Sequence, residues 1–451
     1  MGALCSRPDA EAERPAPAAS RTAEAPPVTL QKPGSSSSQT VGASSSFSSP
    51  SRAPAAPVAP TVWTKAALST RYTPMEKLGS GAFGVVMRVI SKEAGREFAD
   101  KVMKRAEAEA AGKLDRLLRE IEIWQKPTHP NILRLIEVVE TADELHLITE
   151  ICRGGELFDQ LDAVDTFSEH ECRLVVAQIA GAVAHLHLAH GIAHCDIKPQ
   201  NILCRSSKVT DAGCIKLSDF GAAQLFAAGA ADAFVETCGT LEYYAPELCE
   251  NLISRQRGGD VSAATPYGPA VDLWALGCVA YELLCGEPPF WSKDDSEQVR
   301  LILAHDLAFP DECFAAVSAP AKELIRLLLA AEPARRLAID GALAHGWLAS
   351  VDDPQISAAL AASLPAATRE RRSSTSSVRR SFSGGPRVGQ QRSASLVALS
   401  HSELLLPALE LDEADDDDEV VRRKTTRRAN SLPAGASSPR VAVEEVRTEQ
   451  V

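Results

Sequence analysis

The chain has 451 residues, 45% of them hydrophobic, and a formal net charge of −13. An acidic balance of this size favours solubility and argues against general nucleic-acid binding, so no nucleic acid is expected as a partner. Eleven cysteines, an odd number without Cys-x-x-Cys pairing of the metal type, point to free thiols in a reducing compartment and to no disulfides.

Residues 1–66 are dominated by Pro, Ala and Ser, with the run Ser35-Ser36-Ser37-Ser38 and only Phe47 and Trp63 as large apolar groups. Such a segment cannot bury enough surface to offset its chain entropy and is expected to be disordered. Its start, Met1-Gly2-Ala3-Leu4-Cys5-Ser6, matches the myristoylation pattern at Gly2, with a palmitoylatable Cys5 beside it. One acyl chain binds a membrane marginally and two bind it stably, so attachment to the cytoplasmic face of a membrane through Gly2 and Cys5 is expected. No apolar run reaches the roughly 18 residues needed to cross a bilayer.

The first chemical signal is the turn Leu78-Gly79-Ser80-Gly81-Ala82-Phe83-Gly84-Val85-Val86. Glycines without a Cβ let backbone N–H groups close over phosphates. The spacing alone also occurs in dinucleotide folds and plain turns, but the dinucleotide fingerprint should open a helix. Here Val85 to Val89 read as a strand. A second strand, Glu97 to Val102, places Ala99 and Lys101 on one face by two-residue alternation. Leu117-Leu118-Arg119-Glu120-Ile121 reads as a helix, Leu145, Leu147 and Thr149 alternate as in a strand, and Leu324, Ile325, Leu327 and Leu328 are spaced for a helix face.

Further along stand His194-Cys195-Asp196-Ile197-Lys198-Pro199-Gln200-Asn201, then Asp219-Phe220-Gly221, Ala245-Pro246-Glu247, and Asp272-Leu273-Trp274-Ala275-Leu276-Gly277. In this order the motifs resemble the eukaryotic Ser/Thr protein kinases over Tyr72 to Ser350. The resemblance implies an α+β, two-lobed fold: a small β-rich lobe from Tyr72 to Ile151 and a larger helical lobe, with ATP and Mg2+ in the cleft between them. It implies that Asp196 accepts or orients the substrate hydroxyl, that Lys198 neutralises the transferred phosphate, and that Asn201 and Asp219 hold the metal. Lys101 would hold the α- and β-phosphates, pinned by Glu120. The glycine turn, Ala99, Glu150, Cys152, Glu156 and Leu203 would complete the nucleotide site, with Thr149 as gatekeeper. Arg336 would pair with Glu247. The Asp-x-Lys pattern is similar to that of Ser/Thr rather than Tyr kinases.

A narrower resemblance, to the calcium/calmodulin-dependent kinase-like group, rests on Arg119-Glu120-Ile121-Glu122-Ile123, His129-Pro130-Asn131-Ile132, Gly154-Gly155-Glu156-Leu157-Phe158-Asp159 and Ala342-Leu343-Ala344-His345-Gly346-Trp347. It implies a preference for Arg upstream of the phosphorylated residue, with Glu156 and Glu282 forming the basic-residue pocket; Gln200 stands where another acid is frequent. The alternative reading is a pseudokinase or a membrane-tethered scaffold acting through its tail, which the presence of Lys101, Asp196, Asn201 and Asp219 disfavours.

Four departures mark this chain. Asp100 stands where an apolar residue is usual, and is expected to be solvated or paired. Cys195 replaces the arginine that precedes the catalytic aspartate, while Glu236 occupies the acceptor position four residues before Thr240; both halves of a phosphate-operated switch are thus missing together. Extra residues near Arg255 to Ala263 lengthen a surface loop. No EF-hand loop is present in the sequence.

Residues 351–451 are expected to be a disordered regulatory tail, with arginine-preceded serines, an acidic block from Glu410 to Glu419 and a basic run from Arg422 to Arg428. Ser431, with Arg428 before it and Pro433 after it, resembles a site for a phosphoserine-binding adaptor. Pro365 interrupts the candidate inhibitory helix Ile356 to Leu364, so the reading is against calmodulin as a controlling partner.

Overall fold

The computed structural model describes residues 61–62, 65–81, 84–227, 234, 238–256 and 266–364. Gly2, Cys5, Ala82, Phe83, Glu236, Thr237, most of the insertion near Arg255 to Ala263, and the tail from Pro365 onward, Ser431 included, lie outside them.

The small lobe is a twisted sheet. Its strands are β1 (Thr61–Val62), β2 (Tyr72–Gly81), β3 (Gly84–Ser91), β4 (Glu97–Lys104), β5 (Leu135–Glu140) and β6 (Glu144–Thr149), in the spatial order β1-β5-β6-β4-β3-β2. All neighbours pair antiparallel except β1, which runs parallel to β5. Two-residue alternation sorts the side chains. Met103, Leu145 and Leu147 enter the main core with Leu117 and Ile121 of helix α3 (Leu114–Trp124), while Phe98 and Ile148 join Tyr72 and Val89 in a second, smaller core on the opposite face. Helix α1 (Lys65–Arg71) contributes Leu68 to that second core.

Asp100 falls on this covered face at 6% exposure, and its carboxylate lies 3.0 Å from Nδ1 of His146 across the β4–β6 pair. It is therefore paired rather than solvated. The boundary expected at residue 66 also shifts, because β1 and the start of α1 already belong to the folded lobe.

The large lobe is built on two buried helices, α5 (Glu169–His185) and α7 (Ala270–Cys285). Ser168 begins α5 with a reciprocal cap: its hydroxyl accepts from Glu171 N–H while the Glu171 carboxylate accepts from the Ser168 N–H. With the π-helical turn Leu186–His190 it makes a helix long and apolar enough to cross a membrane by length and composition; 78% of the apolar window is buried inside the lobe, as in a core helix. In the sequence, His185, His187 and His190 divide this apolar stretch, so it does not read as one continuous run.

Two more expectations are corrected. Cys285, ending α7, and Cys313, within the short helix Asp311–Phe314, form a disulfide with Cα atoms 5.2 Å apart. The fold juxtaposes residues 28 positions apart, which spacing alone does not reveal. The tail does not begin as disorder at residue 351 either. Residues Pro354–Ser363 form a helix capped by Asp353, whose carboxylate accepts from Gln355 N–H and Ile356 N–H. It buries Ile356 and Leu360 beside Gly181 of α5, and Pro365 falls just past its end.

Candidate active site

The glycine turn joins β2 to β3 as a tight hairpin, with Ser80 opposite Val85 and Gly81 opposite Gly84. Gly84 has a φ of 144°, and a Cβ there would run into the Val102 carbonyl, so only glycine lets the start of β3 lie this close to β4. A Cβ at Gly79 would meet nothing within 4 Å, Val86 pairs with Lys101, and Leu78 and Val85 keep exposed apolar side chains.

Below the hairpin, Lys101 on β4 and Glu120 on α3 converge with Asp219. Burial pushes the Glu120 carboxyl up to about 7; the Lys101 and Arg116 charges pull it back and Asp219 adds to the rise. Asp219 adopts a left-handed φ of 62°, with its Oδ1 accepting from Gly221 N–H at 3.0 Å. Phe220 is buried, with its ring centroid 5.9 Å from Trp124 of α3 and 5.2 Å from His194. This packing ties the position of α3 to the Asp219 turn.

The loop from His194 to Asn201 is anchored from below. Asp272 of α7, fully buried, accepts from the N–H groups of His194 at 2.8 Å and Cys195 at 2.7 Å, and its other partner is His187 at 2.7 Å. Burial opposes the Asp272 charge, but these bonds outweigh it and hold the carboxyl below its usual range.

The anchored loop then presents a closed polar network. Asn201 Nδ2 donates to the Asp196 carbonyl at 2.9 Å and to Asp196 Oδ2 at 2.7 Å. Thr240 Oγ1 donates to Asp196 Oδ1 at 2.9 Å and accepts from Lys198 Nζ at 2.7 Å, and that ammonium lies 3.8 Å from Asp196 Oδ2. Thr240 is the site residue that motif reading passed over; its signal was the Gly239-Thr240 pair shortly before Ala245-Pro246-Glu247. Further out, Glu247 and Arg336 form a buried bidentate pair at 2.8 and 3.0 Å, with the guanidinium 5.2 Å from the Trp274 ring centre.

The inter-lobe connection is more mixed. Ala99 pairs with Thr149, whose hydroxyl donates to the Glu150 carbonyl at 3.1 Å. The Glu150 carboxylate is engaged at Oε1 by Lys216 Nζ and Arg134 N–H, both at 2.9 Å. Cys152 is partly buried, and burial pushes its thiol up to about 12. Glu156 and Leu203 are paired in an isolated antiparallel β-bridge. Glu282, expected beside Glu156 in a pocket for basic residues, is instead fully buried and accepts from Tyr243 Oη at 2.6 Å.

An aspartate carrying a bridged lysine, a second aspartate at a left-handed turn and a lysine–glutamate couple, all held between a β-rich and a helical lobe, define a phosphotransferase of the protein kinase class. The protein kinase domain model matches residues 72–348. Two probable myosin light chain kinases of Dictyostelium discoideum are 37% and 38% identical, over 61% and 62% of this chain and 83% and 82% of their own lengths. Calcium-dependent protein kinase 8 of Oryza sativa subsp. japonica is 34% identical over 62% of this chain and 49% of its own length. The chain belongs to the protein kinase family and is an ATP-dependent serine/threonine protein kinase.

Proposed function

We propose that this kinase phosphorylates proteins with basic residues upstream of the acceptor, that it works tethered to a membrane surface, and that it needs no phosphorylation of its activation segment. The observation that carries the catalytic part is the ring Asp196–Thr240–Lys198, closed by the approach of Lys198 to Asp196 and braced by Asn201. Asp196, held by two donors, orients the acceptor hydroxyl and takes its proton, while Lys198 stands beside it to meet the transferred phosphate. Lys101, steadied by Glu120, holds the nucleotide's phosphates.

The residues present fit a magnesium ion. Asn201 spends its amide nitrogen on Asp196, which leaves its Oδ1 as a hard donor, and Asp219 commits only Oδ1 to Gly221 N–H. Asn201 and Asp219 would hold the ion, which would supply positive charge to offset what develops on the phosphates. Asp219→Asn deletes one carboxylate charge at nearly constant volume and should abolish magnesium-dependent transfer with the fold intact; near wild-type activity would reject this assignment.

The tether rests on Gly2 and Cys5. Gly2→Ala should release the chain to the cytosol, and fractionation with unchanged membrane association would reject dual acylation. Substrate preference rests on Glu156 at the cleft and on the narrower resemblance; a positional peptide library would test it. Phosphatase treatment of the chain made in bacteria should leave peptide kinase activity in place. Ser431 is proposed as the adaptor site of the tail.

A further inference from the structure

Past residue 348, where the family match ends, the chain adds the helix Pro354–Ser363, and the last residue of that helix reaches back to the kinase domain. The helix lies on α5 at Gly181, where a Cβ would stand 3.2 Å from the Leu360 side chain and 3.6 Å from both Ser363 Oγ and the His129 ring. Glycine leaves room for all three to meet. Ser363 is buried at 4% exposure, with its hydroxyl 2.9 Å from His129 Nε2.

We propose that Ser363 is a positioning residue for phosphoryl transfer: through His129 and Asn131 it holds the strand beside the catalytic loop, so that the docked tail helix keeps Asn201 and Asp196 in place.

Hydrogen bonds run without a gap from the helix to the loop. Asn131 N–H donates to His129 Nδ1 at 3.0 Å, which fixes the ring with its Nε2 toward Ser363. The Asn131 side chain donates to Gln178 Oε1 of α5 and to the Ile215 carbonyl, both at 2.9 Å, while the Asn131 carbonyl accepts from Leu217 N–H at 2.9 Å. The strand Ile215–Leu217 is thereby held at both ends. Ser218, the next residue, donates from both its N–H and its Oγ to the Asn201 carbonyl at 2.9 Å, and its own carbonyl lies 3.0 Å from His194 Nε2. Asn201 in turn braces Asp196.

Burial makes this series of bonds stiff. Asn131, Gln178, His194 and Ser218 are all buried, and a buried polar group that loses its partner is costly, so the position of each depends on the next. His129 differs in being only partly buried: without the Ser363 hydroxyl its ring is free to turn toward water and withdraw Nδ1 from Asn131. Ser363 closes that open end. This role rests on the functions proposed above for Asp196 and Asn201. It acts on turnover rather than on nucleotide binding, because none of these bonds involves Lys101, Glu120 or the glycine turn.

The test compares the full chain with Ser363→Ala, with His129→Phe, which keeps a ring but neither bond, and with the double variant, by peptide kinase assay and by amide hydrogen exchange read by mass spectrometry. Ser363→Ala should lower kcat roughly 2- to 10-fold, the worth of one neutral hydrogen bond, leave the KM for ATP unchanged, and speed exchange in residues 194–201 and 215–218. His129→Phe should lower kcat at least as much, and adding Ser363→Ala to it should change nothing further. Ile325→Val thins the core in the helix Ala319–Leu328, none of whose residues enters these bonds, at a similar cost in stability, and should leave kcat and loop exchange as in the wild type. Unchanged exchange of residues 194–201 in Ser363→Ala would overturn the proposal whatever the rate, as would a wild-type kcat, additive losses in the double variant, or an equal loss in Ile325→Val. Amide exchange reads the loop without reference to catalysis, so a failure here is separable from a failure of the roles proposed for Asp196 and Asn201.

Discussion

His129 Nε2 lies 2.9 Å from Ser363 Oγ, which joins the segment entering β5 to the last described helix of the chain. Asn131 N–H donates to the other ring nitrogen, Nδ1, at 3.0 Å, and Ser363 Oγ donates onward to the Ala359 carbonyl at 2.9 Å. The ring is therefore neutral, with its proton on Nε2.

Burial, with the neighbouring His185 and Lys216, pushes His129 down to about 3, and burial with His190 pushes His185 down to about 4. Folded pKa values below the ordinary 6.5 mean that the unfolded chain binds more protons, so stability is full above that pH and lost as it falls toward these values. Thermal unfolding midpoints should drop from pH 7 to pH 5, less steeply in His129→Gln. Equal slopes would argue against this origin. Leu360→Ala should cost about 2 kcal/mol or more by emptying the contact with α5.

Glu120 runs in the opposite direction. Its pKa, about 7 in the free chain against an ordinary 4.5, marks a contribution to stability that is full below 4.5 and lost as pH rises through about 7. Pairing with Lys101 needs the ionised form, and a cation beside Asp219 cancels one source of the shift. Binding of MgATP at pH 6.5 should therefore release protons, measurable by calorimetry in two buffers of different ionisation heat. Glu120→Gln should remove that release; a release of the same size in the variant would assign it elsewhere.

Thr240 links Lys198 to Asp196, and hydrogen bonds to charged groups contribute about 1.5–3 kcal/mol. Thr240→Val should lower kcat on a peptide substrate roughly 10- to 100-fold, and Thr240→Ser should restore most of it. Asp196→Asn should lower kcat by about 10²–10⁴-fold while leaving the KM for ATP close to normal. Wild-type turnover in Thr240→Val would show that the bridge has no part in the reaction.

Arg336→Met leaves Glu247 buried without its partner. Removing one member of a buried ion pair costs about 3–5 kcal/mol, so unfolding in urea should move to markedly lower concentration. Combining it with Glu247→Leu should recover part of that loss.

What was legible in the sequence was local. The loop from His194 to Asn201, the Asp219 turn and the β4 alternation carry their geometry in contiguous residues with special backbone or charge requirements. The buried carboxylates were harder. Asp100 finds His146 46 positions away across two strands, and Glu282 is taken by Tyr243 beneath the site rather than by a peptide at its surface. Cys285 and Cys313 lie on separate helices, and their meeting follows from how α7 packs. Strand β1 has only two residues and too little apolar patterning of its own, whereas the tail helix was legible as the candidate Ile356 to Leu364 but its docking against α5 was not.

The pairing of Thr61–Val62 with Val139–Glu140 bears on how such a lobe survives at high concentration. An uncovered strand edge is a template on which another molecule can add its own strand. Here one side of the sheet is shielded by the chain's own preceding segment, while the opposite edge strand, β2, is interrupted by register shifts around Pro74 and Lys77. Among the described residues, β1 covers the last two residues of β5 and β2 departs from regular register, so each border is a poorer template for a second copy's strand than a straight, uncovered edge would be.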